Sequence, residues 1–222
     1  MLVYPNKVIV FASDIGRYTF CPKQLYMELK HGKVQTKMMA KGVAKHKEIE
    51  DKEKESSEHL EHVQNLMQAL EMSKTTSKII ESVDEYKMQD FVDGVLLIGK
   101  PDLIAAHKSD IMIIERKPHR EREELRKGEL LQIATYALLA QKETRLSYDK
   151  IKCYIDFYDR ETAKIIKRAR VPILPEHTYE VRKILKDMQE IAEGKVPEAT
   201  FYPKKCAYCG YKELCENQEP QF

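Results

Sequence analysis

Three charged side chains, Asp102, Glu115 and Lys117, flank the two apolar runs of PDLIAAHKSDIMIIERK, residues 101–117. The four residues HKSD, 107–110, have the composition of a tight turn. If the chain folds symmetrically about that turn, Asp102 faces Glu115 across an antiparallel pair, where opposed Cβ atoms lie about 4.5–5.5 Å apart. Lys117 lies two residues beyond Glu115 and shares its face. Two carboxylates so close repel each other, and a proton or a cation must relieve them. Carboxylate oxygens suit Mg²⁺ or Mn²⁺. Such an ion acidifies water and neutralises charge developing on a phosphate. The lysine beside it can orient the attacking water or stabilise that charge. The same residues could instead form an Asp–Lys–Glu salt-bridge cluster at a sheet edge. A one-residue register slip would put the two acids on opposite faces.

The elements that must hold these groups are readable around them. DIMIIERK, 110–117, is a buried-strand pattern, and residues 83–104, with VLLIG and PDLIA, supply neighbouring strands. EELRKGELLQIATYALLAQK, 123–142, predicts a helix with apolar positions at Leu130, Ala134, Ala137 and Leu138. KIKCYIDFYD then alternates strictly. Ile151, Cys153, Ile155 and Phe157 fall on one face; Lys152, Tyr154, Asp156 and Tyr158 fall on the other. TAKIIKRARV can be its hairpin partner. PEHTYEVRKILKDMQEIAEG reads as a helix with Pro175 at its start and Gly194 past its end. Upstream, Ser13 predicts the cap of a first helix running through SDIGRYTFCPKQLYMELK. A charged helix is expected from about Gln35 to His59, and a shorter one over HVQNLMQALEMS. In outline the chain is helices, three strands, a helix, two strands, a helix and a cysteine-rich tail. That is an α/β sandwich with a mixed sheet and a helical cap.

Of 222 residues, 42% are hydrophobic, enough for a core, and 33% are charged, above the roughly 25% of an average globular protein. No apolar run approaches the roughly 20 residues of a membrane helix. The start lacks a secretory pattern, so the cytoplasm is the expected compartment. Net charge is only +2, but Lys30 to Lys47 contains no acid. Within it Lys33, Lys37, Lys41 and Lys45 recur every four residues, one stripe on a helix. That stripe fits a nucleic-acid backbone or a solvated lysine face.

Cys153 sits on the apolar face of its strand and reads as a core residue. Cys206, Cys209 and Cys215 form C-x2-C-x5-C, and Cys21 can complete a set of four. A reducing cytosol disfavours disulfides. Four thiolates can hold Zn²⁺ or an iron–sulfur cluster, and spacing does not choose between them.

Pro101-Asp102 followed by Glu115-Arg116-Lys117 in a hairpin resembles the PD-(D/E)xK nuclease signature. Gln132 and Tyr136, Q-x-x-x-Y on the following helix, resemble the RecB-like branch, and their spacing puts them on one face. KGVAKHKEIE resembles that branch's motif whose histidine adds a metal ligand, which points to His46. The resemblance also implies the backbone carbonyl of Arg116 as a ligand, with Asp102 and Glu115. One cysteine before the nuclease motifs and three after them, with Phe20-Cys21-Pro22-Lys23-Gln24-Leu25-Tyr26, resemble the CRISPR-associated "Cas-four" nuclease family. The resemblance runs from Ser13 to Cys215. It implies a restriction-endonuclease-like core with a mixed sheet flanked by helices, an N-terminal helical region and a C-terminal segment holding a [4Fe–4S] cluster. The expected division is 1–82, carrying Cys21 and His46, 83–195 as nuclease core and 196–222 as cluster segment, all one compact unit. The implied activity is Mn²⁺- or Mg²⁺-dependent exonuclease action on single-stranded DNA or overhangs. It would trim DNA during CRISPR spacer acquisition, with integrase proteins as partners and no membrane. Two other readings stay open: a RecB-like nuclease of repair or a mobile element, and a non-catalytic zinc or iron–sulfur protein that binds nucleic acid.

Overall fold

A computed structural model describes residues 1–5, 7–34, 44, 66–75, 80–81, 86–119, 124–200 and 202–216. Nine strands and seven helices are seen among the described residues. In chain order they are β1 (Leu2–Tyr4), β2 (Lys7–Phe11), α1 (Ala12–Phe20), α2 (Pro22–His31), α3 (Leu66–Thr75), β3 (Ile80–Glu81), β4 (Met88–Val92), β5 (Val95–Gly99), β6 (Leu103–His107) and β7 (Asp110–Pro118). There follow α4 (Lys127–Thr144), β8 (Ile151–Tyr158), β9 (Ile165–Val171), α5 (Pro175–Ala192), α6 (Pro203–Cys206) and α7 (Lys212–Glu216). The α/β class with helices flanking mixed sheets is as expected.

The strands form two sheets rather than one, ordered β1-β2-β5-β4 and β3-β6-β7-β8-β9. Each is mixed: β2 runs parallel to β5, β7 parallel to β8, and the other neighbours are antiparallel. β1 and β2 were not expected. KVIVF is short and apolar without alternation, so periodicity is blind to it, and its partner β5 lies more than eighty residues on.

The single helix expected over 13–30 is two. Pro22 has no N–H to continue the first helix and instead begins the second, leaving Cys21 extended between them. Ser13 is not the cap. Helix α1 begins at Ala12, and it is Asp14 that accepts the Phe11 N–H at 2.9 Å. Fully buried Asp14 is compensated by Arg17, which also bonds Glu28 and so locks α1 to α2. The charged helix expected from Gln35 to His59 lies outside the described residues, apart from Ala44.

At the centre, β7 has neighbours on both sides and buries Ile111, Ile113 and Ile114. Helix α4 is buried nearly all round, from Leu131 to Ala140, because it packs against α1, α5 and strands of both sheets. Each such large apolar side chain taken from water contributes about 1.5–3 kcal/mol. Close packing of α4 on β5 depends on Gly99. A Cβ there would lie 2.7 Å from Leu139 Cδ1 and 2.9 Å from Tyr136 Cδ1.

Candidate active site

The β6–β7 hairpin sets the site. Lys108 and Ser109 both have positive φ, 49° and 69°, the pattern of a type I′ turn, which matches the twist of a tight hairpin. Pairing runs from His107↔Asp110 to Leu103↔Ile114, the register expected from the sequence. One step further, Asp102 stands opposite Glu115. Alternation then puts Lys117 on Glu115's face and Arg116 on the other.

Asp102 Oδ2 accepts the Arg116 N–H at 2.6 Å, so this carboxylate closes the end of the ladder. Pro101, opposite Arg116, has no N–H to extend it. In an extended strand N–H and C=O of one residue face the same neighbour, so the Arg116 carbonyl looks to the Asp102 side as well. Glu115, 5% exposed, is gripped from three directions. Its Oε1 accepts from Lys117 Nζ at 2.6 Å and from Gln132 Nε2 at 3.0 Å, and the Tyr136 hydroxyl bonds the same carboxylate. Gln132 Nε2 also donates to Tyr136 OH at 2.8 Å. One turn of α4 therefore delivers both members of Q-x-x-x-Y to one acid.

The electrostatics follow. Burial opposes the charge on Lys117, but the Glu115 carboxylate and its hydrogen bond, with Asp102 and Glu129 behind them, raise the amine's pKa above the ordinary value. Lys117 is thus an ammonium donor rather than a free base. Burial first, then the Glu115 charge, push the Tyr136 phenol well up, so it remains a protonated donor. The oxygen donors fit a hard divalent cation: two carboxylates from adjacent strands at a shared end, with positive and neutral donors at their backs.

The structure brings together Asp102, Glu115, Lys117, Gln132 and Tyr136, with Arg116 carrying the backbone link. His46, Lys37, Lys41 and Lys45 lie outside the described residues. Lys33 is exposed, at the rim of a groove beside α1. Two features escaped the sequence reading. Gly99 admits Tyr136 to its place, and an isolated glycine in a strand pattern was the available signal. On the sheet's other face, buried Arg116 is level with Asp156 of β8, which holds Arg168 of β9 through two bonds of 2.6 and 2.7 Å. The visible signal was Asp156 between Ile155 and Phe157, in a strand with one other charge, Lys152.

Cys21, Cys206, Cys209 and Cys215 all line one small cavity with Phe20 and Met27. The Thr200 N–H donates to Cys21 Sγ at 3.4 Å. Burial, joined by the neighbouring Cys21 and Cys206, raises the Cys209 thiol pKa despite a Tyr211 backbone bond. Tyr211 ties this segment to the end of α2, donating to the Gly32 carbonyl at 2.7 Å and accepting the Val34 N–H at 2.9 Å. Cys153 is apart, in the core. Among the described residues no helix is long and apolar enough to cross a membrane.

No curated protein sequence matches the chain. Among the solved structures that share its fold are two matched over nearly the whole chain. One is SSO0001, at 14% identity and TM-score 0.54, covering 99% of this chain and 91% of that one. The other is a Eubacterium rectale protein described as a conjectured exonuclease, at 12% identity and TM-score 0.58, covering 100% and 95%. The sequence profile of the PD-(D/E)XK nuclease superfamily matches residues 23–216. With that match spanning most of the chain, and an Asp102–Glu115–Lys117 hairpin end at its centre, the protein belongs to the PD-(D/E)XK nuclease superfamily.

Proposed function

We propose that the protein is a metal-dependent DNA exonuclease of the RecB-like branch, acting on single strands or overhangs. The observation that carries this is the grip on Glu115. Lys117, Gln132 and Tyr136 converge on one carboxylate that faces Asp102. A binding module has no use for that convergence; a hydrolytic site does, because ligands held at fixed angles give a metal its precision. Asp102, Glu115 and the Arg116 carbonyl, with His46 as a further ligand, would hold Mn²⁺ or Mg²⁺, which supplies an acidified water and neutralises charge on the phosphodiester. Lys117 orients the attacking water and offsets charge on the phosphoryl oxygens. Gln132 and Tyr136 fix the Glu115 rotamer.

The four cysteines hold a [4Fe–4S] cluster in this reading. All four cysteines line one cavity, as the ligands of one group must, and the resemblance to Cas-four nucleases makes that group the cluster. On the resemblance to Cas-four nucleases, we place the activity in trimming DNA ends for CRISPR spacer acquisition in the cytoplasm, beside integrase proteins.

The test is an end-labelled single-stranded oligonucleotide incubated with the protein and Mn²⁺. Progressive shortening from one end, stopped by chelator, is expected. A strand left intact with both Mn²⁺ and Mg²⁺ would contradict the proposal.

A further inference from the structure

A groove of about 630 Å³ begins at Gln132, which touches Glu115, and runs outward between α1, the first turn of α4 and the cysteine segment. Its walls carry Lys33, Arg126 and Lys205, besides Lys127, which pairs with Glu180. The two acids that line it are engaged: Glu28 with Arg17, and Glu129 with the Arg126 N–H at 3.1 Å. The Lys205 amine is fixed in place, 3.3 Å from the Phe20 carbonyl and 5.4 Å from the centre of the Phe20 ring. Beside it the Tyr208 ring is 77% exposed, whereas Tyr211, three residues on, is buried and bonded. Tyr208 therefore contributes little to the core, yet it stands on the wall of a basic groove that ends at Gln132, a partner of Glu115.

We propose that this groove is the track of a single DNA strand, with Arg126 and Lys205 contacting phosphates and Tyr208 stacking on an unpaired base. The proposal rests on the nuclease reading and gives that site its substrate path. The chemistry selects a single strand: aromatic rings stack on bases of any identity while basic side chains follow the backbone, but a paired base is already stacked on its neighbours. The track also gives the cysteine segment a second task. Whatever holds Cys206 and Cys209 also holds Lys205 and Tyr208.

The test is fluorescence anisotropy of a labelled oligothymidylate, with the full chain purified without oxygen and chelator present so that nothing is cleaved. Tyr208→Ala is expected to bind roughly tenfold more weakly, and Tyr208→Phe, which keeps the ring, to restore affinity. Arg126→Ala with Lys205→Ala should flatten the dependence of log K on log salt by about 0.7 for each phosphate no longer neutralised. Lys142→Ala, near the far end of α4 and paired with Asp90, should bind as wild type does. Ring-independent affinity, or an unchanged salt slope in the double variant, would overturn the track. Cleavage separates the two ideas. A wild-type protein that binds through Tyr208 yet cleaves nothing with Mn²⁺ removes the nuclease reading and leaves the track. A nuclease whose KM for the strand is unmoved by Tyr208→Ala removes the track and leaves the nuclease.

Discussion

Three side chains converge on Glu115. Tyr136 reaches it from α4 while also accepting from Gln132. Tyr136→Phe would remove one donor to the carboxylate and one acceptor for the Gln132 amide. We predict a roughly 10- to 100-fold loss in metal affinity or activity, the usual effect of removing a ligand's supporting bond. The check is the Mn²⁺ concentration needed for half-maximal rate, which should rise while the melting temperature changes little. Cys153 makes the opposite prediction, of inertness. Burial raises its thiol pKa from 9.0 to about 12, and the thiolate is the reactive form. In protein stripped of metal, iodoacetamide near pH 8 should label Cys21, Cys206, Cys209 and Cys215 and spare Cys153, as read by mass spectrometry. The sign for stability follows from the raised value. The thiol's contribution to folding is complete below pH 9 and is lost as pH rises from there toward 12.

At the scale of elements, the β6–β7 hairpin and the α4–β5 contact place the chemistry. The hairpin was legible because two constraints coincide: a turn at 107–110 and an apolar alternation that a one-residue slip would invert. Hence the juxtaposition of Asp102 and Glu115 could be read without coordinates. Gln132 and Tyr136 were legible as one helix face, but their convergence on Glu115 was not, since it depends on how close α4 comes to the sheets. That distance is set by Gly99, two residues before the Pro101-Asp102 pair. Gly99→Ala would drive a methyl to 2.7 Å from Leu139 and 2.9 Å from Tyr136. We expect a destabilisation of about 1–3 kcal/mol from overpacking, seen in denaturant unfolding, together with a loss of activity as Tyr136 shifts. The strands β1 and β2, and the break at Cys21, were missed for separate reasons. A short apolar strand gains its identity only from a distant partner, and Pro22 is masked by the helical periodicity that it interrupts.

Over the whole molecule, the two ends of the described chain meet. Cys21 lies at the α1–α2 junction and the other three cysteines lie near the C-terminus, yet all four share one cavity. Closing a loop this long stabilises by restricting the unfolded chain, and a cluster there would bind only the folded form. Protein purified without oxygen should be brown, with iron and acid-labile sulfide; one equivalent of zinc and no sulfide would assign the site to the other metal. Cys21→Ser should lose the cluster and lower the melting temperature, whereas Cys153→Ser should retain the metal. None of this was decidable from spacing, because C-x2-C-x5-C serves both chemistries. On the proposed nuclease reading, the hairpin end at Asp102, Glu115 and Lys117 is a phosphodiester-cleaving centre. Its most direct test is the rate of nucleotide release from end-labelled single-stranded DNA with Mn²⁺, for wild type, Glu115→Ala and Lys117→Ala, with circular dichroism confirming the fold. The expected result is a loss of roughly a thousandfold or more in each variant, the scale of removing a transition-state charge stabiliser. Full activity in either correctly folded variant would contradict the assignment.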